Sequence, residues 1–163
     1  MDFKFLSKIE NYELSDDPGP FSKNNSFLYV IEKDGIVYKG FEVLEKNCNK
    51  AGIAHGGTLI SFADGLMGYT AWKKNNTPCL TAKLNANYLA PAKKNSWVYG
   101  YAEVTRKTKS ILFMKCNLFI QEKLIFNADG LFKILKNQDN KDCLLYTSPS
   151  PRDSDSSRMP SSA

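Results

Sequence analysis

The sequence predicts an α+β domain in which one long helix packs against an antiparallel sheet. Three observations carry this. A helical stripe of apolar residues runs through the middle of the chain. Two β-rich segments joined by a turn signal precede it, and about four β-rich segments follow it. No internal repeat and no second domain interrupts the order.

Phe3, Leu6 and Ile9 recur at every third position, so Phe3 to Tyr12 reads as a short amphipathic helix that Asp17-Pro18-Gly19-Pro20 stops in a turn. Phe27 to Ile31 reads as a strand, Asp34-Gly35 as a hairpin turn and Ile36 to Val43 as the returning strand. A loop from Glu45 to Ile53 leads to His55-Gly56-Gly57. The long helix is predicted from near Thr58 to about Trp72. Its apolar residues Leu59, Phe62, Ala63, Leu66, Met67 and Ala71 fall on one face, and Asn75-Asn76-Thr77-Pro78 closes it. Leu80 to Leu89 then alternates as a strand, and Ala90-Pro91-Ala92 breaks it. Trp97 to Thr105, Ile111 to Gln121 and Leu124 to Leu135 complete the sheet. Arg106-Lys107-Thr108-Lys109 is predicted as a basic turn, and Asp129-Gly130 as a bulge.

Composition changes abruptly at Cys143. From there to Ala163 the chain is rich in Ser and Pro and has no periodicity, the composition of a disordered tail. Its first part, CLLYTSPSPRD, resembles one reading frame of a transposase adapter used in short-read sequencing libraries. Ser157 to Ala163 resembles the translated outer end of the same kind of adapter, with Ser154, Asp155 and Ser156 at barcode length between them. Residues 143–163 are therefore expected to be non-native and are set aside from fold reasoning, and the native chain is expected to continue past Asp142. The expected division is 1–24 as a short helix and turn, 25–142 as the folded domain and 143–163 as the tail.

Composition and charge exclude several classes. The chain is 42% hydrophobic, enough for a core. Its net charge of +5 comes from lysines scattered between Lys4 and Lys141 rather than gathered into a stripe, which argues against a nucleic-acid partner. A small anion such as a phosphorylated cofactor, or plain solubility, accounts for the charge equally well. His55 is the only histidine, which excludes a mechanism needing two histidines and any His-rich metal site. Cys48, Cys79, Cys116 and Cys143 form no C-x-x-C pair, so neither a zinc site nor a disulfide framework is expected. Met1 to Phe5 is charged and lacks the apolar core of a signal peptide. No run approaches the ~20 apolar residues of a membrane span. The expected location is the cytoplasm, with no membrane partner.

Four features gather between Asn49 and Thr81. His55-Gly56-Gly57 opens the helix. Backbone N–H groups there lack internal partners and sit at the positive end of the helix dipole, so they can stabilise a carbonyl oxygen gaining charge; equally, the glycines can merely permit a turn. Asp64 falls at the edge of the apolar stripe. Partial desolvation there can raise the pKa of a carboxylate towards that of a general base, or the side chain can bond locally in solvent. Asn49 can donate to a carbonyl or simply stabilise its own loop. Thr81 can hold a water or serve as a β-favouring residue.

Taken together, Asn49-x5-His55-Gly56-Gly57-x6-Asp64, Thr81 and Tyr88-Leu89-Ala90-Pro91-Ala92 resemble the hotdog-fold acyl-CoA thioesterases of the phenylacetate-pathway type, a class that includes thioesterase-superfamily member 2. Val104-Thr105-Arg106 with Ile111-Leu112-Phe113 is similar to that family's middle hairpin, and the likeness spans about residues 25–135. The resemblance implies a sheet wrapped around the central helix and hydrolysis of an acyl-CoA substrate, with no metal and no cofactor. It implies Asp64 as general base or nucleophile and Gly56 N–H on the thioester carbonyl. Asn49 would position that carbonyl or the water, Thr81 would orient water, and His55 would be structural or touch the thioester region. It also implies a homodimer, or a tetramer as a dimer of dimers, with Asp64 of one copy facing Asn49 and Gly56 of the other. A lone domain of this size would otherwise leave an edge strand uncovered. Gly57, Arg106, Lys107 and Lys109, with Lys93 and Lys94, are candidates for holding CoA or for a solvated surface. Phe62, Met67, Tyr88 and Phe113 are candidates for the acyl pocket or ordinary core.

Two other functions share this fold expectation. A hotdog hydratase or dehydratase pairs His with Asp or Glu in different local motifs, and hydration of an enoyl-CoA would reveal it. A non-catalytic acyl-CoA-binding protein usually carries a DNA-binding helical module, for which residues 1–24 are too short.

Overall fold

A computed structural model describes residues 13–15 and 19–135. Its elements in chain order are β1 (Glu13–Leu14), α1 (Gly19–Asn25), β2 (Tyr29–Lys33), β3 (Ile36–Glu42), a single 3-10 turn (Glu45–Asn47), α2 (Gly56–Asn75), β4 (Cys79–Tyr88), β5 (Trp97–Lys107), β6 (Ile111–Ile120) and β7 (Lys123–Ile134). All strand pairs are antiparallel, in the order β1-β2-β3-β5-β6-β7-β4. The α+β architecture read from the sequence is the one observed, with the short strand β1 and the short helix α1 added ahead of the expected two strands, long helix and four strands.

α2 lies across one face of this sheet and touches β3 through β7. Its buried residues are Leu59, Phe62, Ala63, Leu66, Met67, Thr70 and Ala71, the predicted stripe with one threonine added. They meet Val37 and Phe41 of β3, Val98 and Ala102 of β5, Leu112, Met114, Cys116 and Leu118 of β6, and Phe126, Ala128 and Phe132 of β7 in one buried cluster. Strand side chains point alternately to the two faces, so every second residue of β6 enters this core while Phe113 and Lys115 stay exposed. Each large apolar side chain buried here contributes about 1.5–3 kcal/mol. The opposite face carries a second cluster around Tyr38 and Tyr99, with Tyr29, Trp97, Tyr101 and Phe119 against it. Gly40 makes room for it, since a Cβ there would stand 2.2 Å from Cζ2 of Trp97.

Local chemistry explains the boundaries. Asp34 and Gly35 both take positive φ, 52° and 70°, and close the β2–β3 hairpin with Lys33 opposite Ile36. α2 ends where Asn76 turns left-handed, with φ 49°, and its N–H donates to the Trp72 carbonyl. Lys73 and Lys74 extend the helix past its last buried turn. They suit the negative end of its dipole, and Lys73 pairs with Glu32 at 3.1 Å.

Several expectations need correction. Gly19 and Pro20 open α1 rather than completing a turn, and Pro20 sits in the first turn, where its missing N–H costs nothing. The basic turn is displaced: Arg106 and Lys107 belong to β5, which continues through a register shift between Val104 and Arg106. Thr108 makes the turn instead, exchanging hydrogen bonds with Ile111. Asp129 and Gly130 lie in regular register with both neighbours. Gly130 leaves room for its neighbours, because a Cβ there would come within 2.9 Å of Leu84 Cδ2 and 3.0 Å of Phe132 Cε2. The predicted helix over Phe3–Tyr12 and the segment 143–163 lie outside the described residues.

Two buried polar residues govern how this core is held. Asn47 is 1% exposed. Its Oδ1 accepts from Leu44 N–H at 3.0 Å, and its Nδ2 donates to the Asn25 carbonyl at 3.2 Å. Its own carbonyl accepts from His55 N–H at 2.8 Å and from Thr58 Oγ1 at 3.0 Å. One residue thus ties the end of α1 and the 3-10 turn to the start of α2. Lys39 is 6% exposed and faces α2 beside Val37 and Phe41, with its Nζ 5.1 Å from the centre of the Tyr69 ring. Burial lowers its pKa.

Asn47→Ala leaves the Leu44 N–H and the Asn25 carbonyl without their partner. It should lower unfolding free energy by about 1–3 kcal/mol in urea titration, and a loss within ~0.5 kcal/mol would refute the role. Lys39→Met should raise stability at neutral pH, where a buried ammonium is costly. Because the folded pKa lies below the unfolded one, that gain should shrink as pH rises towards about 10.4, measured by thermal unfolding across pH.

Candidate active site

The segment before α2 is a tight loop stapled to the segment after β4. Cys48 and Ala54 form a bridge, as do Ile53 and Lys93. Ala54 N–H donates to the Ala92 carbonyl at 2.7 Å and Lys94 N–H to the Gly52 carbonyl at 3.1 Å. Within the loop, Asn49 Oδ1 accepts from Ala51 N–H at 2.9 Å. Its amide NH2 has no recorded partner among the described residues, so the side chain stabilises its own loop and keeps donors to spare. Gly52 sits at φ +73°, in the left-handed region that glycine enters without strain.

His55 caps α2. Its Nδ1 accepts from Gly57 N–H at 2.9 Å, and its carbonyl accepts from the N–H groups of Thr58 and Leu59. The N–H of Gly57 is therefore taken. That of Gly56 has no partner among the described residues, the state expected of a first-turn amide. Asn49, Gly56, Leu59, Tyr88, Leu89 and Pro91, with Ile53, Ala54, Ala90 and Ala92, line an open pocket of about 340 Å³. That is the small end of the range for organic ligands, and most of the lining side chains are apolar.

Asp64 and Thr81 meet elsewhere. Thr81 Oγ1 donates to Asp64 Oδ1 at 2.7 Å, although the two residues are 17 apart in sequence. Asp64 follows Gly56 by eight residues along α2, a rise of about 12 Å. It is half-buried and does not line the pocket. Thr81 stands where β4 shifts register against β7. The four sequence-predicted polar residues thus form two pairs, Asn49 with Gly56 and Asp64 with Thr81, which one chain does not bring together. Between them runs β4, which among the described residues pairs only with β7 and carries exposed Leu80 and Tyr88.

The remaining candidates disperse. Lys94 is ion-paired with Glu45, and Lys107 Nζ donates to Asn75 Oδ1 at the far end of α2 from Gly56. Arg106, Lys109 and Lys93 are exposed. Phe62 and Met67 are core residues, Phe62 packing between Phe27 and Phe41. Phe113 faces solvent. Of the four aromatic and Met candidates only Tyr88 lines the pocket. Sequence reasoning passed over Asn47 and Leu59 as residues shaping this site. Leu59 belongs to the apolar stripe at its first turn, a signal that marks core and pocket wall alike.

Residues 51–125 match the family model of the thioesterase superfamily. A curated relative from Pseudomonas aeruginosa, PA0474, provisionally named an esterase, is 29% identical over 92 residues, covering 55% of this chain and 69% of its own. Thioesterase superfamily member 2 from zebra fish superimposes with a TM-score of 0.65 at 24% identity, over 74% of this chain and 89% of that one. A hypothetical thioesterase from Streptococcus pneumoniae, solved with coenzyme A, gives 0.61 at 21% identity, over 77% and 90%. These two likenesses identify the architecture as the hotdog fold. No helix among the described residues is long and apolar enough to cross a membrane. The match runs from the loop before α2 through the start of β7, so this stretch is similar to the thioesterase superfamily and is built on the hotdog fold.

Proposed function

We propose that this protein hydrolyses an acyl-CoA thioester at a site completed by two copies of the chain. The observation that carries the reading is the split just described: a Gly56 N–H at the pocket and a Thr81-bonded Asp64 about 12 Å along the helix, the first without a partner and the edge strand between them without a neighbour beyond β7 among the described residues. A second copy related by a two-fold axis would cover β4 and bring Asp64 of one chain to the Gly56 pocket of the other. The binding of coenzyme A by the pneumococcal thioesterase supports the substrate class. Cytoplasmic location belongs to the same proposal.

The chemistry follows from the groups. Asp64 removes a proton from water, and the water oxygen attacks the thioester carbonyl carbon. The carbonyl π electrons move to oxygen, where the Gly56 N–H stabilises the charge. Collapse restores the carbonyl and expels CoA as a thiolate, which recovers the proton from Asp64. Attack by the Asp64 carboxylate itself, followed by hydrolysis of the anhydride, uses the same groups. Thr81 fixes Oδ1 and leaves Oδ2 for the proton. Asn49, whose Nδ2 keeps its donors, would hold the carbonyl or the water. Gly57 contributes through backbone shape, its N–H being held by His55. Arg106, Lys107 and Lys109 are the candidates for the CoA phosphates.

Asp64→Asn should lower kcat by about a hundredfold or more in a thiol-release assay while CoA still binds. Activity within threefold of wild type would refute the role. Thr81→Val should cost about five- to tenfold in kcat, the worth of one hydrogen bond. Mixing Asp64→Asn with Gly56→Pro, each inactive alone, should restore about a quarter of wild-type activity after subunit exchange, since half the dimers then hold one complete site. No recovery with proven exchange would refute the shared site.

A further inference from the structure

Gly56 is the pivot of the site proposed above, and nothing in its own side chain holds it. Two consecutive glycines are the freest backbone a chain can have. The structure constrains them from outside. The peptide between Gly56 and Gly57 is gripped at both polar atoms: Tyr88 Oη donates to the Gly56 carbonyl at 3.2 Å, and Gly57 N–H donates to His55 Nδ1 at 2.9 Å. The preceding peptide is held through the His55 carbonyl by Thr58 and Leu59 N–H. Fixing the peptides on both sides of Gly56 fixes φ and ψ at Gly56, and with them the direction of its free N–H.

The fit is close on both sides. A Cβ at Gly57 would stand 2.9 Å from His55 Nδ1, and one at Gly56 would stand 3.3 Å from Tyr88 Cε1. Tyr88 is itself anchored. It is the last residue of β4, opposite Phe126, with the two rings edge to face at 5.2 Å. The next two N–H groups, of Leu89 and Ala90, both donate to the Ile125 carbonyl. Yet Tyr88 is 53% exposed, so burial does not explain its placement. Its ring lines the pocket while its hydroxyl reaches the helix start 32 residues earlier in sequence.

We propose that Tyr88 is a positioning residue for thioester hydrolysis: with His55 it clamps the Gly56–Gly57 peptide, so that the Gly56 N–H is already set for the oxygen that gains charge in the transition state. This rests on the reading of Gly56 as the carbonyl-polarising group. A pre-set donor acts on the transition state more than on bound substrate, so the clamp should appear in kcat and not in KM.

The test compares Tyr88→Phe, which keeps the ring and removes the hydroxyl, with His55→Ala and His55→Asn. Asparagine retains a side-chain acceptor at the cap. Tyr88→Phe should lower kcat about five- to tenfold with KM within twofold and the unfolding midpoint unchanged. Hydrogen exchange at the Gly56 and Gly57 amides should speed up in the folded protein. His55→Ala should lower kcat similarly, and His55→Asn should recover most of it. Wild-type kcat in Tyr88→Phe, or a change confined to KM, would overturn the clamp. Asp64→Asn measured alongside separates the two claims: an inactive Asp64→Asn with a fully active Tyr88→Phe would defeat the clamp and leave the hydrolytic reading standing.

Discussion

The fold and the site share one constraint: α2 must start at a fixed place above the sheet. Packing alone does not ensure that, because a helix can slide along a smooth apolar face at modest cost. Asn47 removes that freedom. It is buried, its side chain donates to the Asn25 carbonyl of α1 and accepts from Leu44 N–H before the 3-10 turn, and its carbonyl holds both His55 N–H and the Thr58 hydroxyl. A buried polar network of this kind works only in one arrangement, since each broken bond leaves an unpaired group away from water. The position of Gly56, and everything proposed for it, inherits that single arrangement.

From this start the helix carries two different kinds of residue to two different places. Its inward stripe, Leu59 through Ala71, ties it to the strands and supplies much of the apolar burial. Its margin carries Asp64 out to Thr81 on β4. Since β4 is an edge strand among the described residues, the carboxylate ends near the margin of the sheet. The same strand ends in Tyr88, which turns back to the start of the helix. β4 therefore touches both halves of the site, one through Thr81 and the other through Tyr88, and links their geometry.

The helix was legible because Leu59, Phe62, Ala63, Leu66, Met67 and Ala71 repeat with helical period, and β6 because Leu112 to Leu118 alternate. The boundary at Gly56 was misplaced by two residues, since glycines are weak helix formers and the cap is a histidine rather than one of the usual small polar residues. Gly130 was misread because a glycine inside a strand looks alike whether it bulges or yields room to Leu84 and Phe132. The spacing of the motif residues does not by itself say which of them meet within one chain. Asn49 and Asp64 lie in one short stretch, yet the helix rise carries them apart, and Thr81 comes to Asp64 only through the packing of β4. Asn47 looks like any loop asparagine until its partners are known.

The central claim is that the thioester lies between Gly56 of one copy and Asp64 of another. A crystal structure with a non-hydrolysable acyl-CoA analogue tests it most directly. The account predicts the analogue's carbonyl oxygen at about 2.7–3.1 Å from the Gly56 nitrogen of one chain, with the Asp64 carboxylate of its partner beside the carbonyl carbon. A carbonyl bound away from Gly56, or a complete site built from one chain, would contradict it.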